Sequence, residues 1–496
     1  MRWRRVIPPK VSKKRILLVS VKTHVHELVH TPPLGLLYLA SYLREVQPDV
    51  HIEILDQKIG RLSDAQIAAK VEEGGYGILG LSCFTPAANR AADIARLVRS
   101  RSPDTTIVIG GPHPSAYMQD SLAPEFDYAV FGEGEIAFSR LFDVLDKGGS
   151  VDRLPGVIYR ENGGVVAGPP APPLENLDDL PMPAWDLYDL RPYWRYEGFC
   201  LMGHRRYAPI FTSRGCPYSC SFCHSIFGRR FRARSPENVL NEMHDLKRRF
   251  GAEEFDFIDD NFNMKNDRAI DILKRIRAEL PDVRLLFPNG VRSDLMDESF
   301  IRAMEAANTY YVSFAVESAS PRIQKMIRKN LDLDAVWANI ERCAEIKRMF
   351  LNGYFMLGFP GETLEEMEQS VSFAVRSKLH TASFFLVMPF RGTPMYKSLD
   401  EETRALVDKN QDRMYYDSLI YNLSTVSDQD LAETHRRALS RFYMRPKLVW
   451  RVFRTHPRPI RSILSGSIEV VTKAVIHVHN FLFRRRQIAA GDSLAS

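Results

Sequence analysis

Between residues 15 and 147, short apolar runs alternate with amphipathic stretches at helical period. "RILLVSV" reads as a buried strand and "PLGLLYLASYLREV" as a helix. "HIEILDQ" is the next strand, followed by a helix over 63–73. "YGILGLSCFT", "TTIVIGG" and "YAVFGEGE" supply three more strands, with helices over 87–101 and 135–147 between and after them. Five such units predict a doubly wound, Rossmann-like parallel sheet with helices on both faces.

The rhythm breaks over 151–205, where "GPPAPPLENLDDLPMPAWDL" is rich in proline and acid; this predicts a linker packed between domains. It resumes over 206–400 with strands at "APIFTS", "EFDFID", "RLLFPNG", "YYVSFAVES", "GYFMLGF" and "ASFFLVMPF". Six βα units suit a partial (β/α)6 TIM-type barrel. From 401 to 496 the pattern is helical, broken at Pro446, Pro457 and Pro459. The predicted organisation is therefore α/β: a sheet domain over 1–150, the linker, the barrel, and a C-terminal basic helical region.

Composition supports a globular chain: of 496 residues, 45% are apolar and 26% charged. The net charge of +6 conceals an asymmetry. Residues 1–15 carry seven Lys/Arg and no acid, and residues 436–486 carry thirteen against Glu469 alone, so the body between them is negative. That distribution argues against a general nucleic-acid binder and leaves an anionic membrane surface, or an RNA contact limited to the basic ends, as options; no nucleic-acid partner is expected. The N-terminal apolar run "ILLVSV" stops at Lys22, too short for a signal peptide, and no run reaches the ~18 apolar residues of a spanning helix. The expected location is cytoplasmic; the cationic tail reads either as a helical cap on the barrel with an exposed basic face or as a peripheral membrane contact.

Six cysteines are too few and too unevenly placed for a disulfide framework, and three of them cluster in "SRGCPYSCSFCHSIFG" as Cys216, Cys220 and Cys223. Zinc normally takes four ligands, and His224 adjoins Cys223 too closely to complete a tetrahedron easily. A redox dithiol needs only two cysteines. A [4Fe–4S] cubane on three thiolates leaves one iron open to a non-protein ligand, and this reading suits the spacing best.

The CxxxCxxC motif, with Phe222 before its last cysteine and after the first strand of a six-unit barrel, resembles the radical S-adenosylmethionine enzymes. The resemblance implies that the open iron chelates S-adenosylmethionine, whose reductive cleavage yields a 5′-deoxyadenosyl radical. Electrons would come from a flavodoxin- or ferredoxin-type donor. Barrel sites lie at strand C-termini. There the resemblance assigns Phe222, Asp259, Asp260, Asn261, Asn289, Arg292, Glu317, Ser318 and Gly358 to S-adenosylmethionine; Gly361 in "GFPGET" also allows close backbone approach.

In the N-terminal domain, "LSCF" and "IGGPHPSA" end successive strands and resemble cobalamin-binding domains. The resemblance assigns Ser82, Phe84, Gly110, Gly111, His113, Gly132 and Glu133 to cobalamin. A Cβ at the glycines would block a flat heterocycle lying on the strand ends. "VKTHVHELVHTPPLG" lacks the Asp-x-His-x-x-Gly that supplies a cobalt ligand, so His24, His26 and His30 are read as loop residues. Together with "FGEGE", "LPMPAWDL" and "LGFPGET", these features resemble the cobalamin-binding radical S-adenosylmethionine enzymes along residues 15–397. Their chemistry implies methylation of an unactivated carbon of a small-molecule or lipid-like substrate, through the adenosyl radical and methylcobalamin. Cobalamin-dependent ring closure or rearrangement without methylation is the alternative. A non-catalytic iron–sulfur sensor would have no use for two facing cofactor domains.

Overall fold

The computed structural model describes residues 11–23, 31–196, 206–413 and 419–455. His24, His26, His30, Cys200, Pro457, Pro459 and the tail beyond 455 lie outside them.

The first sheet contains β1 (Ser12–Ser20), β2 (His51–Asp56), β3 (Tyr76–Ser82), β4 (Thr106–Gly110), β5 (Tyr128–Val130), β6 (Val157–Glu161) and β7 (Gly164–Ala167), in the order β2-β1-β3-β4-β5-β6-β7. The first five strands in chain order are parallel. The order reverses at β1, which places a topological switch between β1 and β3, where open α/β sheets bind ligands at their carboxyl ends. β6 and β7 pair antiparallel and extend the sheet. The expectation of a linker throughout 151–205 is corrected here: a hairpin turns at Asn162 and Gly163, both at positive φ (51° and 82°). Asn-Gly is the pair a tight hairpin favours.

Side chains alternate across this sheet. Ile16, Leu18, Ile54, Ile78 and Val108 face one way, and Leu17, Val19, Leu79, Leu81, Ile107 and Ile109 the other, so both faces are buried, as a parallel sheet requires. The first face shares a continuous core with the second sheet, bridged by Leu180, Ala184 and Trp185. The rest of the 151–205 segment is thus an interdomain wedge: Ala184 N–H donates to Leu37 O (3.1 Å) and Trp185 Nε1 to Glu242 (3.4 Å).

The second sheet is all parallel: β8 (Tyr207–Ile210), β11 (Glu254–Phe257), β12 (Arg284–Val291), β13 (Thr309–Glu317), β14 (Phe350–Leu357) and β15 (Thr381–Leu386) lie side by side in chain order. This is a partial barrel, with β8 and β15 at its open edges. Between β8 and β11, the short strands β9 (Ser213–Arg214) and β10 (Arg232–Ala233) pair antiparallel and close the neck of a loop over 215–231. Helices Glu401–Lys409, Asp428–Tyr443 and Pro446–Thr455 follow, with a break at Pro446. Among the described residues no helix is long and apolar enough to cross a membrane.

Candidate active site

The two sheets meet at their C-terminal ends. Glu133, after β5, pairs with Arg214, after β8 (2.8 Å). Arg391, after β15, pairs with Asp120 and lies 4.6 Å from the centre of the Tyr117 ring, beyond β4. The strand ends that carry the residues assigned by resemblance therefore look toward one another across one interface.

On the barrel side, Cys216, Cys220 and Cys223 sit in the loop closed by β9 and β10. Cys216 N–H donates to Gly228 O (3.4 Å), Ser221 N–H to Ile327 O (2.9 Å) and Cys223 N–H to Cys220 O (3.2 Å), so the loop is pinned to itself and to the segment after β13. Gly215 has φ +83°, and a Cβ there would lie 2.3 Å from Arg230 O; only glycine fits. Among the described residues no three His, Cys, Asp or Glu groups converge on one metal ion. A cubane makes no such demand, since each of its cysteines binds a different iron. Burial, and then the Cys220 thiol, push Cys223 up to about 12 although it borders solvent; burial also raises Cys220, and the Lys329 ammonium opposes both shifts. Iron must displace these protons, so cluster loading is favoured by rising pH.

Phe222 packs on Phe359, with ring centres 5.8 Å apart, and Lys329 Nζ lies 6.0 Å from the centre of its ring. Asp259 is buried, and its carboxylate accepts from Thr212 N (2.7 Å), Thr212 Oγ1 (3.0 Å), Ser213 Oγ (2.9 Å) and Ser213 N. It holds the chain that leads into the cysteine loop. Ser318 is likewise engaged within the protein, next to Ser370 Oγ (3.3 Å) and accepting from Ser320 N (3.2 Å). Asp260 faces solvent; desolvation by surrounding atoms and the Asp259 charge raise its pKa, while the Gly215 N–H opposes the shift. Asn261, beyond β11, carries a buried Oδ1 with no hydrogen-bond partner among the described residues.

Asn289 is exposed and donates to Ile258 O (2.8 Å). Arg292 pairs with Asp294 (2.7 Å) and lies 3.9 Å from the centre of the Tyr218 ring, within the cysteine loop. Glu317 has φ +65° and receives Lys329 Nζ (2.7 Å). Gly358 has φ +94°, and its N–H donates to Glu362 Oε2 (2.8 Å).

On the sheet side, Gly111 has φ +92°, and a Cβ there would stand 2.9 Å from Ser82 Oγ and 3.0 Å from Cys83 O. At Gly110 and Gly132 a Cβ would project into open space. Phe84 is 62% exposed at the end of β3. Gly110, Gly132 and Phe84 thus border an open crevice at the strand ends, where the resemblance puts cobalamin. His113 is buried against Tyr117 (4.5 Å between ring centres), with Nδ1 3.3 Å from Thr85 Oγ1. Burial and the Arg391 charge lower it to about 4, so it is neutral at physiological pH.

Glu133, Arg214, Arg232 and Glu135 form a buried ion network: Arg214 also reaches Glu135 (2.7 Å), and Arg232 binds both oxygens of Glu133. Burial works against the Arg214 charge, and Glu135 and Glu133 more than offset it. Sequence reasoning missed Arg214, Arg232, Lys329 and Glu362. Arg214 stands two residues before the first cluster cysteine and Glu362 within "GFPGET", but nothing in their spacing marks a contact partner.

The B12 binding domain family matches residues 25–142 and the Radical SAM superfamily residues 210–374. An uncharacterized methyltransferase of Pyrococcus horikoshii is 32% identical over 94% of this chain and 100% of its own length. The cytidylyl-2-hydroxyethylphosphonate methyltransferase of Streptomyces wedmorensis is 28% identical over 87% of this chain and 91% of its own. The fold matches that of the radical S-adenosylmethionine methyltransferase TsrM from Kitasatospora setae, solved with cobalamin and a [4Fe–4S] cluster bound; the TM-score is 0.65 at 21% identity, over 77% of this chain and 74% of that one. The chain belongs to the cobalamin-binding radical S-adenosylmethionine enzymes. Its cofactors are a [4Fe–4S] cluster, S-adenosylmethionine and cobalamin.

Proposed function

We propose that this enzyme is a methyltransferase, moving a methyl group from S-adenosylmethionine by way of cobalamin to an unactivated carbon of a small-molecule or lipid-like substrate. The observation that carries this reading is coextension: the two methyltransferases above align with the chain over almost their whole lengths, including both cofactor domains and the segment between them. The cobalamin would supply a methyl carrier, and the cluster would supply the electron that makes S-adenosylmethionine a radical source.

The chain's own part is placement. Cys216, Cys220 and Cys223 hold the cluster, leaving one iron for S-adenosylmethionine. The Asn261 Oδ1 acceptor stands beyond β11, where S-adenosylmethionine would bind, whereas Gly358 is taken up by Glu362 and Leu431. Gly110 and Gly132 leave space open on the opposing sheet, Gly111 is required by its close approach to Ser82 and Cys83, and Phe84 offers an apolar surface there. The wedge around Trp185 ties the helix after β1, through Leu37, to the helix Pro236–Phe250, through Glu242.

The test needs no knowledge of the substrate. Anaerobically reconstituted protein with reduced cobalamin and S-adenosylmethionine bearing a deuterated methyl group should place that label on the bound cobalamin, read by mass spectrometry. Cleavage to 5′-deoxyadenosine with unlabelled cobalamin would instead indicate the ring-forming chemistry.

A further inference from the structure

The loop after β5 carries both Gly132, at the cobalamin crevice, and Glu133, whose carboxylate leaves that crevice for the barrel. Glu133 Oε2 accepts from Arg214 Nη1 (2.8 Å) and Arg232 Nη1 (3.2 Å), and Oε1 accepts from Arg232 Nη2. Glu135 takes the other amino group of Arg214 (2.7 Å). All four side chains are 10% exposed or less, and the network of two acids and two bases is neutral. Arg214 and Arg232 face each other in the β9–β10 pair, which is the neck of the cysteine loop. The guanidinium of Arg214 is further held between Tyr38 and Phe227, at 5.3 and 5.2 Å from the ring centres.

The other end of the path is equally fixed. Gly132 N–H donates to Ser115 Oγ (2.9 Å), and Ser115 Oγ donates to Gly111 O (3.2 Å). An unbroken run of hydrogen bonds and backbone therefore joins Gly111 and Gly132 in the crevice to Arg214, two positions from Cys216. A carboxylate with both oxygens held by arginines is poorly placed to bind a ligand as well. Its displacement would leave buried charges unpaired, so the network resists any change in how the two ends sit.

We propose that Glu133 is a positioning residue, not a cobalamin ligand, and that it couples cobalamin binding in the crevice to the ordering of the cysteine loop by the cluster. Each cofactor then strengthens binding of the other by the same factor, as linkage demands. This rests on the two cofactors alone and stands whether or not the bound cobalamin carries a methyl group.

The experiment uses the full chain, cluster-free and reconstituted, under anaerobic conditions, with hydroxocobalamin affinity measured by equilibrium dialysis. Reconstituted wild type should bind more tightly than the cluster-free form, by on the order of 5-fold or more. Glu133→Gln and Arg232→Gln should each bind cobalamin with that ratio reduced to about one; either variant suffices if the other fails to fold. Asp120→Asn, which breaks the separate contact with Arg391, should keep the ratio. Three results overturn the proposal: equal affinities of the two wild-type forms, a ratio that persists in both network variants, or a ratio also lost in Asp120→Asn. Loss of cobalamin binding in Glu133→Gln with normal binding and coupling in Arg232→Gln overturns it too, by making Glu133 a ligand.

Discussion

Lys329 Nζ lies 2.7 Å from Glu317 Oε1 at the mouth of the barrel, both side chains about nine-tenths buried, with Glu317 held in the left-handed region that few side chains adopt. The same ammonium opposes protonation of Cys220 and Cys223. Lys329→Met strands the Glu317 carboxylate, and breaking a buried pair this way costs about 3–5 kcal/mol. Urea denaturation should show that loss, and the Glu317→Gln/Lys329→Met double variant should recover much of it. A double variant as unstable as Lys329→Met would mean that the pair is not coupled.

Glu362 gives a pH signature. Its carboxyl is fully buried, Oε2 accepts from Gly358 and Phe359 N–H (2.8 and 3.0 Å), and Oε1 has no partner among the described residues. Burial raises its pKa to about 7 from 4.5. The folded state therefore binds more protons than the unfolded state between those values, so this group's contribution is fully present below pH 4.5 and is lost as pH rises toward 7. The loss is roughly 3 kcal/mol across that window. Glu362→Gln should flatten that decline, measured as unfolding free energy at pH 5 and pH 7.5. An unchanged slope in the variant would assign the dependence to other groups.

The adjacent glycines Gly110, last in β4, and Gly111, just beyond it, should respond differently. Gly111→Ala must place a Cβ 2.9 Å from Ser82 Oγ at φ +92°, costing at least about 1–2 kcal/mol in the cobalamin-free protein. A Cβ at Gly110 meets no atom within 4 Å, so the thermal midpoint of Gly110→Val without cobalamin should stay near that of wild type while cobalamin affinity falls. Normal cobalamin binding by Gly110→Val would place the ligand elsewhere.

The cationic tail, whose residues beyond 455 lie outside the described ones, is read from the sequence as a contact for anionic membranes. Each Lys or Arg near such a surface contributes on the order of 1 kcal/mol. Sedimentation with phosphatidylserine-containing vesicles should carry the protein down, less so at high salt, and deletion of 460–496 should weaken the effect. Indifference of the full chain to anionic vesicles would leave the tail a structural element.

Much of the architecture is written in the hydrophobic pattern. Both parallel sheets follow it, because strands buried on two faces leave continuous apolar runs such as "RILLVS" and "YGILGLS". The β6–β7 hairpin was hidden by the proline-rich stretch that follows it, although Asn162-Gly163 marks its turn. The cysteine motif was legible because its chemistry is local in sequence. The partners of Glu133 were not: they lie 81 and 99 positions away and meet it only when the domains dock. Asp259 shows a related limit. Its place at a strand end suggested a ligand contact, yet the donors of Thr212 and Ser213, brought alongside by the β8–β11 pairing, occupy its carboxylate.

The central claim is that Cys216, Cys220 and Cys223 carry a cluster that cleaves S-adenosylmethionine. Its most direct measurement is 5′-deoxyadenosine released by the reduced, reconstituted protein, compared with single alanine variants at these positions and at the buried Cys83 and Cys343. The account predicts release by wild type, Cys83→Ala and Cys343→Ala, and none from any of the three loop variants, with loss of the sulfur-to-iron absorption in parallel. Release undiminished in a loop variant, or a cluster that requires Cys83 or Cys343 as a fourth ligand, would contradict it.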